Sequence, residues 1–467
     1  MRRTAAAALA LSLLTIGLSP RIASQGAAQE PSPAQSGPTF NKDVAPILYA
    51  NCVVCHRPGE VAPMSLMTFA DARPWARGIK TKVLAHDMPP WYADPQFGNF
   101  TNKPKLTQAQ ADTLAAWADA GAPEGAGAPP SPPVFRDEWS PLMNRPPDQV
   151  IDAPFEFEVP ATGDVPTFTV WLKIPFRDDR FVEAMQLVPT NRRVVHHSSI
   201  SFGDLPPKTK IGKAQAYNGG PVLDGVPVFS DGRPYLSMSG DEFGYPLIFY
   251  VPGGGFLRFP QGIAKRLPAG KYFSWGMHYV TTGKPEKVRM RLGVWFAKKD
   301  VNHAVETWTV NEKRVVNGKE VWIGAPGRPQ APNIPAGEAN YTITGYVGFK
   351  DAVTVYSAWP HMHFRGKDMT FIVTYPNGRE ETVLSVPKYD PNWQITYEFV
   401  KPLKLPAGSV MRAIAHYDNS AKNLNNPDPA QEVLWGPQSA NEMFLPFIEV
   451  SVDKNDLRFD DIQRALQ

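Results

Sequence analysis

The chain has only two cysteines, and they stand three apart with a histidine directly after them: Cys52-Val53-Val54-Cys55-His56. Thiols at that spacing can form thioethers to the vinyl groups of one haem, and the adjacent imidazole can then reach the iron. A structural disulfide or a redox-active pair would use the same thiols but would leave His56 without a role. The motif therefore reads as a covalently attached c-type haem held by Cys52, Cys55 and His56. The second axial ligand is expected at Met88, within Asp87-Met88-Pro89-Pro90-Trp91, where a thioether would raise the haem potential. Met64, Met67 and His86 are the rivals.

Of nine histidines, five more fall in three tight contexts: Val195-His196-His197-Ser198, Gly276-Met277-His278-Tyr279 and Pro360-His361-Met362-His363. His361 and His363 are two apart, so on a strand both imidazoles face one side and can grip one metal. Such pairs also occur as ordinary polar surface. His196 and His197 are adjacent, and a regular strand would send them to opposite faces. They can share an ion only at a bulge or a strand end; otherwise one is buried and the other exposed. His303 and His416 have no partner at metal spacing and read as structural, with His416 also placed to support a metal from behind.

The elements that must carry these residues change along the chain. Arg2 and Arg3 precede an apolar run from Ala5 to Leu18 and small residues near Ser24 and Ala28, a signal-peptide pattern over 1–28. A retained N-terminal membrane anchor is the alternative. Residues 38–122 read as a small all-α cytochrome c domain. It has a helix over Asp43 to Tyr49, another over Asp71 to Leu84 with Pro74 in its first turn, and a closing helix. The closing helix opens on the capping box Thr107-Gln108-Ala109-Gln110 and aligns Leu114 with Trp117. Residues 123–150 form a proline-rich, semi-rigid linker. Beyond it, β-branched and aromatic runs such as Thr167 to Leu172, Tyr341 to Thr344 and Thr370 to Tyr375 are bounded by turn residues. They predict two tandem all-β antiparallel sandwiches, over 151–320 and 321–455. The 49 prolines among 467 residues exclude a mostly helical chain. A net charge of +3 with interleaved signs gives no reason to expect a nucleic-acid partner.

Together the histidine contexts resemble the copper type II monooxygenases, the family of peptidylglycine α-hydroxylating monooxygenase and dopamine β-monooxygenase. That resemblance covers roughly residues 150 to 452 and implies two jelly-roll-like sandwiches with one copper each. It places an electron-transfer copper on His196, His197 and His278, and an oxygen-activating copper on His361, His363 and Met443, the last within Asn441-Glu442-Met443-Phe444. Leu267-Pro268-Ala269-Gly270 ahead of Met277-His278-Tyr279 also fits. Read alone, Met443 is a core side chain, the commoner fate of a methionine; the matching histidine pairs turn the reading to ligation. Two imidazoles with a thioether favour Cu(I), whereas a zinc site more often takes a carboxylate or a third histidine. Two departures stand out. Animal members are rich in disulfides, which this chain cannot form once its cysteines hold haem. Where the peptidylglycine enzyme carries an arginine for its substrate's carboxylate, this chain has Trp359.

The expectation is an exported (periplasmic or secreted) monooxygenase with haem c and two copper ions. It would use O2 to hydroxylate a C–H bond of an unknown small organic substrate, drawing electrons from a periplasmic or respiratory donor through the fused haem. The alternative is a non-oxygenating electron-transfer or binding protein on the same sandwiches; a zinc hydrolase with an attached cytochrome is a third reading.

Overall fold

Alternation of apolar and polar side chains builds most of this molecule. In Tyr341–Gly348 every second residue is buried, so one face of the strand meets a core while the other meets water. The structure is a computed structural model that describes residues 37–135, 139–215, 221–235, 245–311, 313–322, 328–436 and 438–454. The stretch read as a signal peptide, 1–28, lies outside the described residues. None of the described helices is long and apolar enough to cross a membrane.

The described chain is mostly β, arranged as several sandwich-like sheets, with only small helices near its beginning. One large sheet has nine strands. Its order is Gln149–Asp152, Met290–Phe296, Arg180–Pro189, Ile263–Leu267, His303–Thr309, Leu445–Val452, Val353–His361 and Tyr397–Leu405, with Phe256–Arg258 also beside Arg180–Pro189. A four-stranded sheet runs Phe168–Lys173, Tyr272–Tyr279, Val195–Gly203, Tyr245–Tyr250. A six-stranded sheet runs Lys319–Val321, Lys313–Val316, Tyr341–Gly348, Val410–Tyr417, Gly366–Thr374, Glu380–Val386. The strands predicted from Thr167, Tyr341 and Thr370 form at those places.

Two hydrophobic cores follow from this layering. Val170, Ile200 and Trp275 of the four-stranded sheet meet Val182 and Leu292 of the large one. Ile343, Phe371 and Ala413 of the six-stranded sheet meet Val355 and Ile448 at the other end of the same large sheet. The two ends join where Ile263–Leu267 pairs in parallel with His303–Thr309. At that seam the Lys265 ammonium is buried, donating to the Leu247 carbonyl at 2.9 Å, to Glu449 at 2.8 Å and to Thr307. A buried cation survives only with its hydrogen bonds filled, so this lysine ties its own strand to three others.

A third, smaller core packs Phe40, Leu48, Leu114 and Trp117 among the helices. Gln108–Asp119 begins at the reciprocal cap between Thr107 and Gln110 and buries Leu114 and Trp117, as its pattern predicts. The helix expected over Asp71 to Leu84 is broken instead. It starts two residues early at Phe69, capped by the Thr68 hydroxyl, which moves Pro74 out of the first turn. There the missing N–H interrupts the ladder, and Arg73–Trp75 tightens into a 3-10 turn before Ala76–Leu84 resumes.

The segment after Met88 leaves the helical core. Ala93 and Phe100 are buried in the core of the six-stranded sheet, and the Phe100 ring lies 5.3 Å from Phe399 and 5.5 Å from Tyr397. Asn102 and Thr101 bond strand Tyr397–Leu405 and its approach. Replacing Phe100 by alanine should therefore destabilise the β region by about 3 kcal/mol, read as a lower urea midpoint for tryptophan fluorescence. A change below about 0.5 kcal/mol would mean that the segment is a surface loop rather than core.

Candidate metal centres

A fault in strand pairing creates the first centre. Strand Tyr272–Tyr279 runs antiparallel to Val195–Gly203 with His278 opposite His197, yet the next residue, Tyr279, faces Val195. His196 is the extra residue of a β-bulge, which bends the strand and turns its side chain toward the same side as its neighbour. Three imidazoles meet as a result. His278 Nδ1 lies 3.3 Å from His196 Nδ1 and 3.2 Å from His197 Nε2. All three ligand-capable nitrogens lie within 4.8 Å of one another.

Those separations carry chemical information. Nitrogens bound tetrahedrally to one ion at about 2.0–2.1 Å stand about 3.3 Å apart. A hydrogen-bond network explains the cluster less well, because one ring nitrogen of His278 cannot donate to both neighbours. No carboxylate is part of the cluster. Burial, then the charge of its neighbours, lowers the His278 pKa to about 3, and the same causes hold His197 well below its ordinary value. Burial likewise lowers His196. All three are neutral at pH 7, the form that binds metal.

The second centre lies where Val353–His361 ends. His361 and His363 place their ring centroids 5.2 Å apart at an interplanar angle of 89°. Each Nδ1 is already engaged, His361 with the Gln394 side-chain oxygen and His363 with the Asn441 carbonyl at 3.1 Å. Such partners fix the tautomer and leave Nε2 of each ring as the ligand atom. Both rings are buried, which lowers His361 to about 4 and His363 to about 3. A tight turn holds the pair: the Gly366 amide donates to the His363 carbonyl, and a Cβ on Gly366 would come 2.7 Å from the Met362 Cβ. The Tyr389 hydroxyl donates to the Met362 carbonyl at 2.5 Å and accepts from the Met362 amide at 3.1 Å.

Glu442 ties this turn to the strand approach that carries Met443. Its carboxylate accepts the His363 amide at 2.8 Å and the Arg365 amide at 2.6 Å. The Met443 carbonyl accepts from the Tyr417 hydroxyl at 2.7 Å, and its side chain is half-buried. Glu442 thus ties the residue before Met443 to the turn that carries the histidine pair. Gln394, Asn441 and Glu442 were not legible as site residues; only Glu442, adjacent to Met443, carried a hint. His303 and His416 are occupied elsewhere, with the Val452 carbonyl and the Asp368 carboxylate.

Side-chain contacts link the elements that carry the two centres. The Gln438 side chain accepts from the Thr167 amide at 3.2 Å and donates to the Thr167 carbonyl at 3.3 Å. Thr167 precedes Phe168, which pairs with Met277 beside His278, while Gln438 also bonds His363 through its backbone. Phe249 packs against Trp359 with ring centroids 4.1 Å apart and planes tilted by 42°, joining the four-stranded sheet to the large one.

In the helical segment, Cys52, Cys55 and His56 share one turn, with the amides of Cys55 and His56 both donating to the Cys52 carbonyl. Both thiols are free, and burial pushes them up to about 12 and about 11. Redox-active pairs depend on lowered thiol pKa values, so this environment disfavours that use. His56 Nδ1 meets the Met64 carbonyl at 3.3 Å, leaving Nε2 free as a proximal iron ligand requires. Val54, Val61 and Met88 are exposed apolar side chains of the same segment, suited to cover by a macrocycle. The residues fit a c-type haem.

No protein-family model matches the chain, and no curated protein matches it. Among solved structures, the VP2 subviral particle protein of infectious bursal disease virus aligns over 62% of this chain at 11% identity and a TM-score of 0.17. This chain spans 56% of that protein. A tandem CBM22 domain of Paenibacillus barcinonensis Xyn10C aligns over 65% of this chain and 93% of its own length, with 10% identity and a TM-score of 0.15. Likeness at this level carries no argument about fold or function.

Metal-free protein should lose stability on acidification. The five imidazoles have folded pKa values below 6.5, so the unfolded chain binds more protons once the pH drops under that value. Glu442, pushed to about 8 by burial, and Glu306 and Glu398, raised by burial as well, oppose this above pH 4.5, but three groups face five. The thermal midpoint should therefore fall steadily from pH 6.5 to 4.5. The double variant His278→Asn, His363→Asn should flatten the slope. A midpoint unchanged over that range would contradict the burial of these rings as neutral groups.

Proposed function

We propose that this chain is an exported, haem- and copper-containing monooxygenase that hydroxylates a C–H bond of a small organic substrate with O2. The observation that carries the reading is the spacing of the imidazole nitrogens in the bulge-built triad, 3.2 and 3.3 Å, beside which the chain carries a second, buried histidine pair. The domain plan proposed with it is a cytochrome c domain over 38–122 and two jelly-roll-like sandwiches over 151–320 and 321–455. The helical core of Phe40, Leu48, Leu114 and Trp117 supports the first of these, while Ala93 and Phe100 from the same stretch pack into the core of the six-stranded sheet.

His196, His197 and His278 would hold one copper, and His361, His363 and Met443 the other. Copper at these positions would supply one-electron redox chemistry and the activation of O2. The chain's own residues do the rest. Gln394 and the Asn441 carbonyl hold the two imidazoles in one tautomer and orientation. Glu442 locks the turn so that Met443 stays beside them. Trp359, 5.0 Å from His361 and stacked at 5.0 Å on Phe447, keeps water from the back of the site. No cation stands at position 359 to seize a carboxylate, which favours an uncharged substrate. Cys52, Cys55 and His56 would hold the haem, with Met88, on an exposed turn, as its second axial ligand. The alternative, electron transfer without oxygenation, draws on the triad alone, since three imidazoles suit a metal that only changes charge.

Metal analysis of the holoprotein should find about two copper and one iron per chain. Reductant-driven O2 consumption with product formation should fall by at least about a hundredfold in Met443→Ala and His363→Ala, more than altering a group behind a ligand costs. Copper at the triad with O2 consumption absent from the wild type would favour the electron-transfer alternative.

A further inference from the structure

The haem-motif segment is fastened to the strand that carries the adjacent histidines. Arg57, directly after His56, donates to the Val54 carbonyl at 2.8 Å and to Glu60 at 2.6 Å. The same Glu60 oxygen accepts from Arg192 at 2.8 Å. All three side chains are four-fifths or more buried, at 10%, 12% and 20% exposure. Screening is weak there, and a carboxylate shared by two guanidiniums is held more firmly than a surface pair. Arg192 opens the turn Arg192–Val194 that runs straight into Val195–Gly203, so His196 lies four residues further on. Tyr250, opposite Ser198 on that strand, is buried and feels the charges of Arg192, Glu60 and Cys55.

We propose that the Arg57–Glu60–Arg192 bridge docks the haem segment for direct electron delivery to the centre at His196, His197 and His278, ahead of the centre at His361 and His363. The proposal rests on the metal assignments above. In the step, ferrous haem loses one electron and becomes ferric, and a cupric ion at the triad gains it and becomes cuprous. No bond to carbon or oxygen forms or breaks. An external one-electron donor then restores the ferrous haem. Glu60 and Arg192 are positioning residues, since they touch neither reacting metal.

Flash photoreduction of the fully oxidised, copper-loaded full chain under anaerobic conditions tests this. The haem absorption band reports reoxidation, and the cupric EPR signal reports the acceptor. A first-order haem reoxidation independent of protein concentration is expected. It should persist in His363→Ala and vanish in His278→Ala. Glu60→Gln and Arg192→Gln should slow it about tenfold, the factor that one lost charge-assisted hydrogen bond takes from a docked population. Arg192→Lys should restore most of the rate. Haem and circular dichroism spectra of each variant confirm that it is folded and loaded. Reoxidation that survives in His278→Ala, or is indifferent to Glu60 and Arg192, overturns the proposal. A chain that binds no copper at all, seen by metal analysis before any flash, instead overturns the functional reading beneath it.

Discussion

Three imidazoles pressed into contact at a β-bulge are the constraint around which this molecule is arranged. The pairing of Tyr272–Tyr279 with Val195–Gly203 slips at His278 and Tyr279, and only that slip lets adjacent residues His196 and His197 face the same partner. The cluster is half-buried and holds no acid, so nothing beside the rings stabilises them as cations. Neutral rings with one shared nitrogen cannot satisfy each other either. A bound cation resolves both difficulties, and the nitrogen spacing already matches it.

The remaining architecture serves to present a second centre to the first. The nine-stranded sheet continues through the parallel seam at Ile263–Leu267, where Lys265 and Glu449 are paired in the interior. Removing one partner there would strand a charge, so the seam resists opening. The two-point contact between Gln438 and Thr167 closes the other side. The histidines at 361 and 363 are in turn fixed by Gln394, Asn441 and Glu442, which leave them little rotational freedom.

Local pattern carried much of this into view before any coordinates. The alternation at Tyr341–Gly348 and the cap at Thr107 are short-range signals, and they formed where they were expected. The requirement for a bulge at His196 and His197 followed from strand geometry alone, although nothing nearby said which partner would impose it. Pro74 misled because helix entry was misplaced by two residues. Long-range contacts were illegible. Gln394 lies 33 residues from His361, and Glu60 lies 132 from Arg192, with no periodicity to connect either pair. Phe100 joins a β core nearly three hundred residues away, which no window of sequence could reveal.

Anomalous diffraction at the copper absorption edge, from crystals of the copper-loaded protein, tests the two-centre reading most directly. Two peaks are predicted, one bonded to His196, His197 and His278 and one between His361 and His363 with the Met443 sulfur as a third ligand. Absence of a peak within bonding distance of the triad, with copper present elsewhere or not at all, would contradict it.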